Sequence, residues 1–208
     1  PSFNFGVVSC DNIAYAIHKH PESNLWNDAF SRISRGEINY MIHIGDNVYL
    51  DKENNADERL MTAPYESIKQ LLNETPRELW PQRYGEAMEI IREKYRRSWS
   101  EPNKARVLAN VPNIMMFDDH DIRDDWGFRE EDSNPNSEQP DYVYGQLARI
   151  AYYEYQRQLR EDIDFSNFEN ITCEYFYEII NGTGFFFSDI RGIRTWHKIG
   201  RASCRERV

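Results

Sequence analysis

The first pattern along the chain is a series of short apolar runs, each followed directly by polar residues. FNFGVVSC ends at Cys10, YMIHIG leads into GDNVYLD, and Pro112 introduces NIMMF ahead of an aspartate-rich stretch. Runs of this length and β-propensity predict buried strands. Parallel strands carry sites at their carboxyl ends, so Cys10, Asp46 and the aspartates of 118–125 are expected at one sheet edge.

Between these runs, apolar residues recur at helical spacing and predict a βαβ unit followed by further helices. Trp26, Phe30 and Ile33 predict the first helix. The segment 51–85 is polar and predicts an insertion with a short helix near Tyr65 to Leu72. Ser23 or Asn24 would cap this first helix, and Gly36 would end it. Two further helices are predicted from the apolar faces formed by Met88, Ile91, Tyr95 and Trp99 and by Leu147, Ala151, Tyr155 and Leu159.

The last third of the chain contains a loop signal and a hairpin signal. FREEDSNPNSEQPD has loop composition throughout. TCEYFYEII and TGFFFSDIR predict two strands joined at Asn181-Gly182, the dipeptide preferred in two-residue hairpin turns. His43, between Ile42 and Ile44, is interpreted as a packed core histidine rather than a ligand. The pattern as a whole predicts an α/β fold.

Composition narrows the class of protein. Hydrophobic residues make up 40% and aromatic residues 14% of the 208-residue chain, which is typical of a globular domain. The net charge of -10 argues against a nucleic-acid-binding surface, and no stretch has the length of a transmembrane segment. Cysteine usage predicts no disulfide framework.

The two ends of the chain read differently from its middle. The opening strand starts at Pro1, so we expect a piece whose natural N-terminus lies upstream. The basic segment IGRASCRERV, residues 199–208, resembles a translated sequencing adapter and is predicted to be a non-native tail. The predicted domain therefore covers residues 1–198.

The stretch MMFDDHDIRDDWG concentrates five aspartates behind an apolar run. Carboxylates this close raise one another's pKa and destabilise a fold unless a cation or hydrogen bonds compensate. Cys10 with Asn12 and Asp46 with Tyr49 end the other two strands. Carboxylate and amide oxygens suit calcium or manganese, whereas thiolate and phenolate favour a more charged or softer metal such as iron.

These motifs resemble a known family. GDNVY looks like the Gly-Asp-x-x-Tyr motif of iron-dependent metallophosphatases. SCD, FDDHDIRDDWG and FFFSDIRGIR, in this order, resemble the PhoD-like (alkaline phosphatase D) branch of the calcineurin-like metallophosphoesterases, from about Phe3 to Arg194. The resemblance implies a layered αββα fold with mixed sheets flanked by helices. It also implies hydrolysis of phosphodiesters or phosphomonoesters by a metal-bound hydroxide.

The resemblance further implies roles for single residues. His120 would be the catalytic histidine, with Asp121 fixing its orientation. Arg191 or Arg194 would face the substrate phosphate, although SDIR departs from the family's usual LDTR. The implied metal ligands are Cys10 and Tyr49 for iron, Asp46 as the bridge between ions, Asp119, and Asp125 for calcium, with Asp124 as the competitor of Asp125.

Two other classes of protein stay open at this point. A glycosidase would use paired carboxylates without metal, and a non-catalytic calcium-binding module would use DDHDIRDD, although it lacks the EF-hand glycine. The family's late GD-x-H motif is not found after Arg194. We therefore expect an incomplete and inactive N-terminal part of a metallophosphoesterase. The residues themselves indicate no compartment; the resemblance alone implies export or a periplasmic location for the full-length protein, because relatives are often exported.

Overall fold

A three-stranded parallel sheet organises the chain. The structure is a computed structural model that describes residues 3–13, 24–51, 63–165 and 174–192. The sheet has the order β1–β2–β3, with β1 at Phe5–Val8, β2 at Tyr40–Ile44 and β3 at Asn113–Met116. Its register pairs Val7 with Ile42 and Ile42 with Ile114, so the three carboxyl ends lie side by side. The predicted parallel strands are confirmed.

Helices connect and cover these strands. The described part of the chain contains α1 (Leu25–Ser34), α2 (Pro64–Asn73), α3 (Trp80–Trp99), α4 (Pro102–Asn110), α5 (Glu130–Ser133) and α6 (Asp141–Tyr155). Short 3-10 turns cover Arg77–Leu79, Asp119–Asp121 and Arg157–Leu159. None of these helices is long and apolar enough to cross a membrane.

One core lies between the sheet and the helices α1 and α4. The side chain of Asn24 caps α1 by accepting a hydrogen bond from the Trp26 N–H at 3.0 Å, as predicted. His43 is 1% exposed, stacks on Trp26 and shares a hydrogen bond of 3.0 Å with Asn113. Its interpretation as a core histidine is confirmed. The buried apolar residues of this core are Ile13, Trp26, Met41 and Val107.

A second, larger core joins α2, α3 and α6 to the loops that follow β2 and β3. Val48 and Leu50 enter it from the first of these loops, and Phe117 and Ile122 from the second. Their burial removes apolar surface from water and so anchors both loops on the helices. The segments that carry the candidate ligands are therefore fixed by packing on both sides.

Several elements differ from the sequence prediction. Helix α4 was not predicted, because Lys104 is buried at a position where the pattern would need an apolar residue. Helix α3 begins at Trp80, well before the predicted Met88. The predicted loop FREEDSNPNSEQPD contains the single turn of α5, and Leu159 lies in a 3-10 turn beyond α6 rather than on that helix.

The predicted hairpin is confirmed as β4 (Phe176–Ile180) and β5 (Thr183–Phe187). Asn181 and Gly182 join the strands with φ angles of 49° and 79°, as a type I′ turn requires. The Phe185 ring lies edge-on to Phe5 of β1, with centroids 5.4 Å apart. The chain thus has a mixed α/β fold with a parallel and an antiparallel sheet. The αββα layering stays a prediction.

Close packing of Trp126 on α6 anchors the end of the aspartate-rich loop. Trp126 follows Asp125 directly and is 6% exposed. A Cβ atom at Gly145 would lie 2.0 Å from Cη2 of the Trp126 indole. The indole therefore fits only because residue 145 has no side chain.

This contact predicts that two glycine-to-alanine substitutions in helices change the free energy of unfolding in opposite directions. Gly85→Ala in α3, where a Cβ meets nothing within 4 Å, should stabilise the protein by about 1 kcal/mol through helix propensity. Gly145→Ala should instead destabilise it by about 1–3 kcal/mol, because the new methyl group displaces the Trp126 indole. Urea unfolding of both variants measures the difference. Stabilisation by Gly145→Ala would contradict the packing described here.

Candidate metal centre

The ends of β2 and β3 approach each other closely at Gly45. This residue has a φ of 104°, and a Cβ atom there would lie 2.5 Å from Cβ of Asp118. The Leu50 N–H donates to the His120 carbonyl at 3.0 Å, which continues the contact between the two loops. The glycine of the GD pair therefore allows residues 46–51 and 118–124 to share one surface.

Three of the predicted site residues meet on this surface. Asp46, Asp119 and His120 each offer a ligand atom, and these atoms all lie within 4.8 Å of one another. The His120 backbone N–H also donates to Asp46 Oδ1 at 3.3 Å. Asp46 and Asp119 are 7% and 8% exposed, so their charges are poorly solvated. Two carboxylates and an imidazole at this separation can hold a metal ion.

Cys10 and Tyr49 lie on the other carboxylate oxygen of Asp46. The Cys10 thiol and the Tyr49 hydroxyl each donate to Asp46 Oδ2, both at 3.5 Å. The Tyr49 ring stacks on the His120 imidazole with centroids 4.3 Å apart. Cys10, at the end of β1, thus reaches the site through the parallel pairing of the strands, as the sequence predicts.

Charge crowding changes the acidity of this group of residues. Burial, together with Asp118 and Asp119, raises the pKa of Asp46 despite the opposing effect of His120. Burial and the negative charge of Asp46 raise the pKa of the Tyr49 phenol well above its usual range. The phenol therefore keeps its proton unless a cation favours the phenolate. The donor set fits a cation, because a cation would offset each of these penalties.

The imidazole of His120 is oriented by Asp51. Its Nδ1 donates to Asp51 Oδ1 at 2.9 Å, and Asp51 is a residue that the sequence analysis did not select. Burial lowers the pKa of His120, but the hydrogen bond and charge of Asp51, with Asp46 and Asp119, raise it above its ordinary value overall. Asp51 also accepts from the Asp124 backbone N–H at 2.7 Å.

Asp121 has a different position from the predicted one. Its carboxylate accepts from the backbone N–H groups of Asn47 at 3.2 Å and Asp118 at 3.0 Å, and from Gln156 at 2.9 Å. It is 0% exposed, and burial raises its pKa to about 7. The carboxylate that hydrogen-bonds Nδ1 of the imidazole is that of Asp51, not that of Asp121. Asp121 connects the two loops beneath the site.

The two candidates for the calcium ligand lie at the outer rim. Asp124 and Asp125 are both exposed. The Asp125 backbone N–H donates to Asp119 Oδ2 at 2.7 Å, and Asp125 has a φ of 55°. Asp124 Oδ1 lies 3.8 Å from His120 Nε2. Both aspartates border the site, one beside Asp119 and the other beside the imidazole.

Arg191 is the cation that the structure places at the site. Its Nε pairs with Asp118, and its Nη2 lies 3.4 Å from Asp119 Oδ2. Its Nη1 is buried without a hydrogen-bond partner in the described part of the chain. A buried donor without a partner is costly, so this nitrogen is suited to an anionic ligand. Arg194 and the predicted tail 199–208 lie outside the described residues.

Sequence reasoning missed Asp51 because no spacing rule connects it with His120, which lies 69 positions later. The segment GDNVYLD does contain it, five residues after Asp46. An acidic residue at the end of a ligand-bearing loop was the available signal. Only the pairing of Leu50 with His120 brings its carboxylate to the imidazole.

Comparison with known proteins adds one result. The family model described as PhoD-like phosphatase matches residues 5–176 of this chain. Comparison with curated proteins gives no match, and neither does comparison with solved structures. The matched span contains Cys10, Asp46, Tyr49 and His120, whereas Arg191 lies beyond it.

The contact between Asp51 and His120 predicts a change in the acidity of the imidazole. Asp51→Asn removes the negative charge beside Nδ1 and should lower the pKa of His120. The imidazole would then lose its proton at a lower pH than in the wild-type protein. NMR titration of the ring measures this in the metal-free protein. Asp124→Asn, on the exposed side of Nε2, is the matched control and should lower the pKa of His120 less. An equal decrease in both variants would contradict the assignment of Asp51 as the partner of the imidazole.

Proposed function

Since this chain belongs to the PhoD-like phosphatase family, we propose that it hydrolyses phosphodiesters or phosphomonoesters with metal ions held at the carboxyl edge of its parallel sheet. The family places the chain among hydrolases that act on phosphate esters. The observation that carries the proposal is the convergence of the Asp46 and Asp119 carboxylates and the His120 imidazole within 4.8 Å, which puts two possible metal ligands beside a possible general acid. The hydrogen bonds that Cys10 and Tyr49 donate to the Asp46 carboxylate also support the proposal.

The proposed ions are iron and calcium, with manganese or another divalent metal as the alternative for the oxygen-rich position. Cys10 and Tyr49 would hold iron, Asp46 would lie between the ions, and Asp119 with Asp125 would hold calcium. The raised pKa of the Tyr49 phenol supports a highly charged ion, because a strong positive charge is needed to displace its proton. When bound, such ions supply an activated water nucleophile and screen the charge of the phosphate.

His120 and Asp51 act together on the leaving group in this proposal. Asp51 accepts the Nδ1–H of His120, which leaves Nε2 on the side of the ring that faces Asp124. Despite the opposing effect of burial, the hydrogen bond and charge of Asp51 raise the pKa of His120 and so favour the protonated imidazole. Nε2 is then positioned to donate this proton to the leaving oxygen as a general acid. Asp51 replaces Asp121 as the residue proposed to orient the ring.

Arg191 is proposed to bind the phosphate through its unpaired Nη1. Its contacts with Asp118 and Asp119 hold the guanidinium plane beside the ligands, and a guanidinium can bind two phosphate oxygens at once. Arg194 remains the second predicted phosphate contact. The αββα layering is also part of this proposal, and the contact of Phe185 with Phe5 between the two sheets supports it.

Hydrolysis of bis(p-nitrophenyl) phosphate tests this function directly. In the protein extended with its natural C-terminal residues, we expect turnover that a strong chelator removes and that added iron and calcium restore. Glycoside hydrolysis that survives chelation would favour the metal-free glycosidase. Calcium binding without turnover of any phosphate ester would favour the non-catalytic module.

A substitution separates the roles of ligand and acid for His120. His120→Ala should lower kcat for this diester by about 10²-fold, the usual scale for a positioned general acid. Metal content, measured by elemental analysis, should stay near wild type, because Asp46 and Asp119 remain. Loss of metal together with activity would make His120 a ligand instead.

The iron assignment depends on Tyr49. Phenolate bound to ferric iron gives a visible charge-transfer band, which Tyr49→Phe should abolish while the far-UV circular dichroism stays unchanged. Tyr177→Phe on the exposed face of β4 is the matched control and should keep the band. A colourless, iron-free protein with full diesterase activity would contradict the assignment.

A further inference from the structure

Three of the proposed ligands, Cys10, Asp46 and Asp125, share an unusual backbone conformation, and the first two of them follow adjacent strands. Cys10 has a φ of 56° and Asp46 a φ of 54°. This left-handed region brings the Cβ atom close to the carbonyl oxygen, so residues other than glycine rarely adopt it. Such conformations persist only where the surrounding structure holds them. The residues that hold Cys10 and Asp46 therefore control how the thiol and the carboxylate are presented.

One buried ammonium group contacts the residue after each of these ligands. Lys104 lies on α4 and is 1% exposed. Its Nζ donates to Asp11 Oδ2 at 2.5 Å and to the Asn47 carbonyl at 3.1 Å. Asp11 follows Cys10, and Asn47 follows Asp46. The ammonium group of Lys104 thus connects the loop after β1 to the loop after β2.

The surroundings of Lys104 leave its ammonium little freedom to move. Trp26 donates its Nε1–H to the other oxygen of Asp11 at 3.1 Å. The rings of Trp26 and Trp99 lie 5.5 Å and 5.9 Å from Nζ, at cation–π distance. The Asp11 backbone N–H donates to the Asp46 carbonyl at 2.9 Å, which joins the two loops directly.

We propose that Lys104 is a positioning residue for the metal centre. It holds Asp11 and Asn47, and through them keeps Cys10 and Asp46 in the left-handed conformation that directs the thiol and the carboxylate to one cation. Lys104 itself touches neither the cation nor the substrate. The inference rests on the proposed function, because it concerns the same ligands.

Titration of the metal-free protein with Co²⁺ tests this inference without any activity measurement. Wild type should bind Co²⁺ with a near-UV thiolate-to-metal charge-transfer band, which Cys10→Ser should remove. Lys104→Met, with a side chain of similar length and no charge, should raise the Co²⁺ dissociation constant at least tenfold. It should also weaken the band per bound ion. All titrations are made at a temperature where circular dichroism shows each variant folded.

Two further variants separate positioning from general stability. Lys104→Met leaves the half-buried Asp11 carboxylate without its cation and so destabilises the fold; the double variant Lys104→Met/Asp11→Asn removes both charges and should show the same loss of cobalt binding. Arg92→Met breaks a half-buried ion pair with Glu154, between α3 and α6, and should leave the Co²⁺ titration unchanged.

The outcomes distinguish this inference from the proposed function. Cobalt binding like that of wild type in the double variant would overturn the role of Lys104 and leave the metal centre intact. Equal weakening by Arg92→Met would also overturn it, because the effect would then be general destabilisation. A wild-type protein that binds no Co²⁺ would overturn both the role of Lys104 and the metal centre.

Discussion

The close approach of Gly45 to Asp118 is the contact on which the rest of the site depends. A side chain at residue 45 would lie 2.5 Å from Cβ of Asp118, so the strand ends can meet only at a glycine. Beyond this point the loops pair, with the Leu50 N–H on the His120 carbonyl and the His120 N–H on Asp46. Carboxylates from two strands are thereby brought together, although their charges repel each other.

Other contacts offset that repulsion. Asp121 accepts hydrogen bonds beneath the site from the backbone N–H groups of Asn47, Val48 and Asp118 and from the Gln156 side chain. Arg191 contacts the carboxylates of Asp118 and Asp119 from above. No lysine or arginine among the described residues pairs with Asp46, and burial raises its pKa despite the opposing effect of His120. The uncompensated negative charge is therefore concentrated at Asp46, where the Cys10 thiol and the Tyr49 phenol also lie. This is the position proposed for the metal.

The strands, the hairpin and most helices follow from patterns that are local in sequence. Apolar runs predicted β1, β2 and β3, and Asn181-Gly182 predicted the turn between β4 and β5. Helix α4 escaped prediction, because its buried Lys104 reads as a surface residue until its partner Asp11 is known. Asp51 escaped for the same reason, since its contact with His120 spans 69 positions and its place at the end of GDNVYLD does not identify that partner. Motif residues could be selected from the sequence, whereas the residues that orient them required the fold.

The central claim is that Cys10, Tyr49 and the carboxylates bind one common metal centre. X-ray absorption at the iron edge of the iron-loaded protein tests this most directly, because sulfur and oxygen ligands scatter differently. We expect one sulfur ligand with several oxygen or nitrogen ligands, and loss of the sulfur scatterer in Cys10→Ser. Iron surrounded only by oxygen or nitrogen in the wild-type protein would contradict it.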